Sequence, residues 1–263
     1  MLMSQFLQSR KTVRSYKTKA IRTEGMIEIR RILDEENEKM KAYGAELLFL
    51  EDGEDVVRLL EGKGGYSGVM IESPSYIALN IKEEKEEAYI YGAYYLEDLT
   101  TKLYDLNLGS CWVSLGGVPA DLKRNIHVEP GSVEYLLAIG YPVAQLGIGE
   151  IPFSSRLGVE EIVRDKEGKG LTMEELAQRG LDDLFYYVRF APSAYNNQPW
   201  RFVVDDGRVI LLIQDYKDKV TLVDAGIMIY YFEKMLASTG IVSKFTVHVE
   251  DKGADKIIGT IAI

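Results

Sequence analysis

The segment Leu48-Phe49-Leu50-Glu51-Asp52-Gly53 returns 154 residues later, in degenerate form, as Phe202-Val203-Val204-Asp205-Asp206-Gly207. A second correspondence pairs Tyr91–Leu108 with Asp224–Ile241 at a shift of 133 residues, with apolar positions in step, so the later copy is 21 residues shorter between the two matches (154 against 133). A third likens Ile257–Ile263 to Val133–Ile139. Such recurrence points to a degenerate tandem duplication, each copy holding a strand, its turn, a long helix and a closing strand. Strand-turn-helix likeness also arises by chance in proteins that mix the two elements, so the pattern alone leaves duplication and coincidence both open.

Periodicity fills in the elements. Met26, Ile29, Ile32, Leu33 and Met40 among charges predict an amphipathic helix over Met26–Ala42, and Ala45–Leu50 reads as a buried strand closed by the turn Glu51-Asp52-Gly53. Ser73-Pro74-Ser75 opens a strand over Tyr76–Ile81. A helix follows over about Glu87–Leu106, whose apolar face of Tyr91, Tyr95, Leu99, Leu103 and Leu106 assigns both tyrosines to the core. Val133–Tyr141 is the next strand, ended by Pro142. The seam between copies falls in Ser154–Gly170, and Thr172 with Glu175 forms a capping box for the helix that comes next. Gly64-Gly65-Tyr66-Ser67-Gly68 lacks the spacing of a nucleotide-binding glycine loop and reads as a flexible connection.

Composition removes several classes of function. With 31 Lys and Arg against 41 Asp and Glu, the net charge of −10 disfavours nucleic acid as a partner. No run approaches a membrane-spanning length, and Met1–Gln8 lacks the features of a signal peptide, so a cytoplasmic protein without membrane partners is expected. The single cysteine, Cys111, reads as a small buried hydrophobe, and His127 and His248 alone predict no metal centre.

Two segments carry chemistry. Arg10, Lys11, Thr12 and Arg14 gather three cations and a hydroxyl, and on a helical or bent segment Arg10 and Arg14 share a face that suits a phosphate or simply a solvated basic patch. Ala191-Pro192-Ser193-Ala194-Tyr195-Asn196-Asn197-Gln198-Pro199-Trp200-Arg201-Phe202 is a polar loop entering an apolar strand. The pair resembles the R-x-S/T-x-R opening and the APS-x-x-N-x-QPW-x-F loop of the flavin-dependent nitroreductase family, in particular its tandem TM nitroreductase type. Leu108–Gly117 is similar to that family's GLGTCW segment and glycine loop, with Asn107 where a glycine is common. Ser154-Ser155-Arg156-Leu157 resembles its late basic segment, with Ser154 replacing a frequent lysine.

The resemblance implies an α+β fold in which two degenerate repeats of a mixed sheet flanked by helices form an intramolecular pseudo-dimer. The N-terminal half would span residues 1–160 and the shortened C-terminal half 161–263. It implies FMN as cofactor, with NADH or NADPH as reductant and a small electron acceptor such as a nitroaromatic or quinone. Arg10 and Thr12 are expected at the phosphate with Ser155 and Arg156, and Lys11 is counted with them among the cofactor-binding residues. Arg14 is expected near the N1/O2 edge of the ring, Gly116 and Gly117 near N5 and O4 through their backbone, and Pro192, Ser193 and Asn196 along the ring or ribityl chain. No protein acid or base is required. Tyr195 is open to two readings, a lid over the ring or ordinary loop packing.

Each motif occurs once, in opposite halves: Lys41-Ala42-Tyr43-Gly44 stands where the first half lacks the proline-serine-asparagine loop, and Ser238–Lys244 where the second lacks the GLGTCW-like segment. One composite flavin site per chain is therefore expected, and a monomer suffices to form it, with further self-association still open. The competing expectation is a flavin-binding or flavin-less protein without turnover, acting as carrier, sensor or interaction module. A changed reaction, such as dehalogenation or flavin fragmentation, is a third.

Overall fold

The computed structural model describes residues 2–126, 130–144 and 155–263, so the reading of Ser154 and of His127 lies outside the described residues. The chain divides into two compact units, Met1–Arg10 with Ile151–Ile263, and Lys11–Glu150. Helix α1 (Met3–Ser9) thus belongs with the C-terminal part of the chain, stacking Phe6 on Tyr231 at 6.1 Å.

The unit Lys11–Glu150 is built on a four-stranded antiparallel sheet. Its elements are α2 (Thr23–Met40), β1 (Ala45–Leu50), α3 (Gly53–Leu60), β2 (Ser75–Ile81), α4 (Glu86–Asp105), β3 (Gly109–Ser114), α5 (Ala120–Ile126) and β4 (Ser132–Gly140). The strand order is β1-β2-β4-β3, with a register shift at Leu79/Asn80. Helices cover both faces, which is why every residue of β2 is buried. Tyr76, Ala78, Leu136 and Ala138 meet Val56 and Leu60 of α3 on one side, while α2 and α4 pack on the other.

The helix α3 departs from the sequence reading. Asp52 does not merely close a turn: its side chain accepts from the N–H groups of Glu54 and Asp55 and caps α3. Gly53 is required there, because a Cβ would lie 1.8 Å from Ser73 O. The single apolar face expected for α4 is also too narrow. The helix is buried over most of its circumference, whereas Tyr91 and Tyr95 are only half-buried, Tyr91 stacking on Tyr43 at 3.7 Å.

The other unit continues with α6 (Val159–Ile162), β5 (Val163–Asp165), α7 (Met173–Ala177), α8 (Asp182–Val188), β6 (Trp200–Asp205), β7 (Arg208–Ile213), α9 (Val220–Ser238), β8 (Thr246–Lys252) and β9 (Asp255–Ala262). Thr172 and Glu175 form the capping box of α7. The sheet order is β5-β6-β7-β9-β8; only β5 is parallel to its neighbour, reached by a crossover through α7 and α8. Without β5 the order and directions repeat those of β1-β2-β4-β3, with a register shift at Leu211/Leu212 between the equivalent inner strands. The two-residue turn Asp206-Gly207 stands where the first sheet has α3 and its long loop, which accounts for the shortening seen in sequence. The core here is aromatic. Phe232 of α9 lies 5.4 Å from Phe202, 5.7 Å from Phe185 and 5.3 Å from Phe245 between ring centroids.

Candidate functional site

The loop between α8 and β6 is held in a conformation its residues do not favour. Tyr195, Asn196 and Gln198 all have positive φ, at 52°, 59° and 49°, and a bulky residue there is strained. Hydrogen bonds from every side sustain it. Ser193 Oγ accepts the Gln198 N–H at 2.9 Å, Asn196 N–H donates to Ser193 O at 3.1 Å, and the Asp224 carboxylate accepts the Ala194 N–H at 3.0 Å.

Buried Gln198 ties this loop to the segment 155–157. Its side-chain oxygen accepts the Leu157 N–H at 2.9 Å and its amide donates to Asn196 O at 3.1 Å. Asn196 adds a second tie, donating through Nδ2 to Ser155 O at 2.8 Å while its Oδ1 accepts from Arg156 Nη1. Arg156 Nη2 donates to Phe190 O at 3.2 Å. Ser155, Arg156, Ser193 and Asn196, all singled out by sequence, are thus brought together, and Pro192 adjoins Ser193 in the same loop.

Arg10, at the C-terminal end of α1, belongs to the same unit. Burial draws the Arg156 guanidinium down to about 10, and the charges of Arg10 and Arg189 add to the effect. The Nε atoms of Arg10 and Arg156 are buried without a partner, and among the described residues neither side chain has a carboxylate on it. Buried donors with no acceptor and a surplus of positive charge make a place for an anion.

Asp224, on α9, also meets the loop and is 5% exposed. Burial pushes its carboxyl up to about 7, against the pull of the Ala194 N–H. Sequence reasoning missed Asp224, although a lone charge in Leu222-Val223-Asp224-Ala225-Gly226-Ile227 was a visible signal. It also missed Arg189, which stands just before the loop.

Lys11, Thr12 and Arg14 are exposed and belong to the other unit. The helical reading of Arg10–Arg14 does not hold. The helix α1 ends at Ser9, Arg10 is extended, and Val13 N–H bonds Ser110 O of β3 at 2.9 Å while Lys17 N–H bonds Tyr141 O at 2.9 Å. Pairing beside the sheet wins over local helix formation. Gly116 and Gly117 follow β3 in the same unit and are exposed. Gly116 N–H donates to Ser114 Oγ at 3.2 Å. At Gly117 nothing lies within 4 Å of where a Cβ would be, so internal packing does not demand glycine there. Cys111 is buried. Among the described residues no group of acidic, histidine or cysteine side chains is arranged to hold a metal ion, and no helix is long and apolar enough to cross a membrane.

A family model described as "Putative TM nitroreductase" matches residues 3–236. Among solved structures, the chain is similar over 100% of its length to 94% of a nitroreductase of that same description from Thermotoga maritima MSB8, at a TM-score of 0.62 and 17% identity. An FMN-dependent nitroreductase from Clostridium difficile R20291 is matched by 53% of this chain over 87% of its own, at a TM-score of 0.46 and 22% identity. A nitroreductase with bound FMN from Bacteroides fragilis NCTC 9343 is matched by 60% of this chain over 98% of its own, at 0.46 and 17%. No curated protein matches. The full-length likeness at this identity is one of fold.

Proposed function

The chain belongs to the TM nitroreductase family, and from that premise we propose that it is an FMN-dependent oxidoreductase, taking electrons from NADH or NADPH and passing them to a small acceptor such as a nitroaromatic or quinone. The observation that carries the cofactor is the pair of orphaned guanidinium Nε atoms, on Arg10 and Arg156, beside a loop held under strain. Those donors fit a phosphate monoester, which offers several acceptor oxygens and a double negative charge. FMN, when bound, supplies the hydride chemistry.

The residues have separate tasks in this reading. Arg10 and Arg156 hold the phosphate, with Ser155 beside them. Ser193 and Asn196 present polar atoms to the ribityl chain or ring, and Gln198 keeps the loop in register with Arg156. Asn196 orients the Arg156 guanidinium, so a cofactor meets a preformed donor array and binding requires little ordering. For Lys11, Thr12, Arg14, Pro192, Gly116 and Gly117 the assignment rests on the motifs alone.

The repeated strand order supports a duplicated origin with one such loop retained. At positions equivalent to 193–198 the first copy carries residues 39–44, and Tyr43 there stacks on Tyr91, the counterpart of Asp224. An aromatic pair replaces the carboxylate-to-backbone tie. One flavin per chain follows.

Arg156→Gln and Asn196→Ala are each expected to raise the FMN Kd by about tenfold or more, in line with loss of a charge-assisted bond. Titration of flavin fluorescence against each variant measures this. Wild-type affinity in both variants would remove the site from this loop. Oxidation of NADH or NADPH that is stimulated by an added quinone would exclude the reading without turnover.

A further inference from the structure

Arg189 is the one cation of this cluster that none of the family motifs accounts for. It caps the C-terminal end of α8, with its guanidinium 4.8 Å from the Tyr186 ring centroid and 4.7 Å from that of Phe190. Its Nε donates to Tyr186 O at 3.2 Å and its Nη1 to Leu157 O at 3.5 Å. Arg156, in turn, donates to Phe190 O at 3.2 Å. Each arginine therefore bonds the carbonyl of a residue next to the other, and this reciprocal brace ties the two side chains to each other's segments, near enough for their charges to interact.

Neutral donors would serve those carbonyls equally well. The brace instead brings like charges together, and Arg156 feels both Arg189 and Arg10 as repulsion. Among the described residues no carboxylate pairs with any of the three. The aromatic faces of Tyr186 and Phe190 offset part of the charge on Arg189, but the surplus remains for a ligand to neutralise.

We propose that Arg189 is a specificity-determining residue, the third cation that makes this cluster select a flavin carrying a doubly charged phosphate over neutral riboflavin. The inference rests on the flavin reading for its ligand. Its role is electrostatic: the charge adds to the attraction for phosphate and contributes nothing to the isoalloxazine or ribityl contacts, which both flavins share.

The test compares FMN and riboflavin affinities, by flavin fluorescence, for the wild-type chain, Arg189→Gln and Arg189→Lys. Arg189→Gln should weaken FMN by about tenfold and leave riboflavin within about twofold, whereas Arg189→Lys, which keeps the charge, should retain most of the preference. Equal weakening of both flavins in Arg189→Gln, or no change in either, would overturn the inference, and the FMN reading would stand. If the wild-type chain binds no FMN, the flavin reading fails, and inorganic phosphate becomes the probe. A rise in Tm with phosphate in the wild type that is reduced in Arg189→Gln upholds the charge role, and the same shift in both, or none in either, overturns it.

Discussion

Asp224 shows how a single buried group links the candidate loop to pH. Its carboxyl titrates near 7 in the fold because burial disfavours the charge, against about 3.9 in an unfolded chain. The folded state therefore keeps a proton that the unfolded state releases, and this contribution to stability is lost as pH rises from about 4 to about 7. Asn at this position keeps an oxygen for the Ala194 N–H and removes the buried charge. Asp224→Asn should melt several degrees above the wild type at about pH 8 and show a smaller gain at about pH 5.5, by thermal unfolding followed with circular dichroism. An equal difference at both pH values would contradict this account. At this scale sequence singles out residues whose type implies its own chemistry, and Arg156, Ser193 and Asn196 do meet at one loop. Arg189 and Asp224 were not legible in it, because their significance comes from what the fold sets around them: two aromatic faces and reciprocal carbonyls for one, burial for the other.

At the scale of elements, helix α9 carries the unit that holds the loop. Phe232 meets Phe185 of α8, Phe202 of β6 and Phe245, so one side chain joins the helix bearing Asp224 to the two elements that flank the loop. Phe232→Ala should cost about 3–5 kcal/mol, as expected for a fully buried aromatic, and urea denaturation measures it. A loss below about 1 kcal/mol would mean that this cluster is not the core of the unit. Strands β1, β2 and β4 and helices α2 and α4 were legible to within a few residues, since their periodicities are long and clean. The helix α3 was not. Asp-Gly signals a turn at Asp206-Gly207, yet at Asp52-Gly53 the same pair caps a helix, and the difference lies in the packing of Gly53 against Ser73 O. The faces of α4 were misjudged for a similar reason: a helix covered on most sides leaves no single stripe to read.

For the whole molecule, the recurrence at 154 and 133 residues anticipates two sheets whose shared strands run in the same order, β1-β2-β4-β3 and β6-β7-β9-β8. Sequence comparison could not foresee that α1, at the start of the chain, joins the unit formed by its end, because short helices take their place from tertiary contacts such as Phe6 on Tyr231. That placement puts Arg10 in the same unit as Arg156 and supports the phosphate reading. The proposed function requires one flavin cradle per chain. The most direct measurement is the flavin-to-chain ratio, taken from the visible spectrum and protein concentration after saturation with FMN and removal of the unbound cofactor. A ratio near one is expected. A ratio near two would contradict the loss of the cradle at Tyr43 and Tyr91, and absence of flavin would contradict the cradle at Arg10, Arg156 and Asn196 itself.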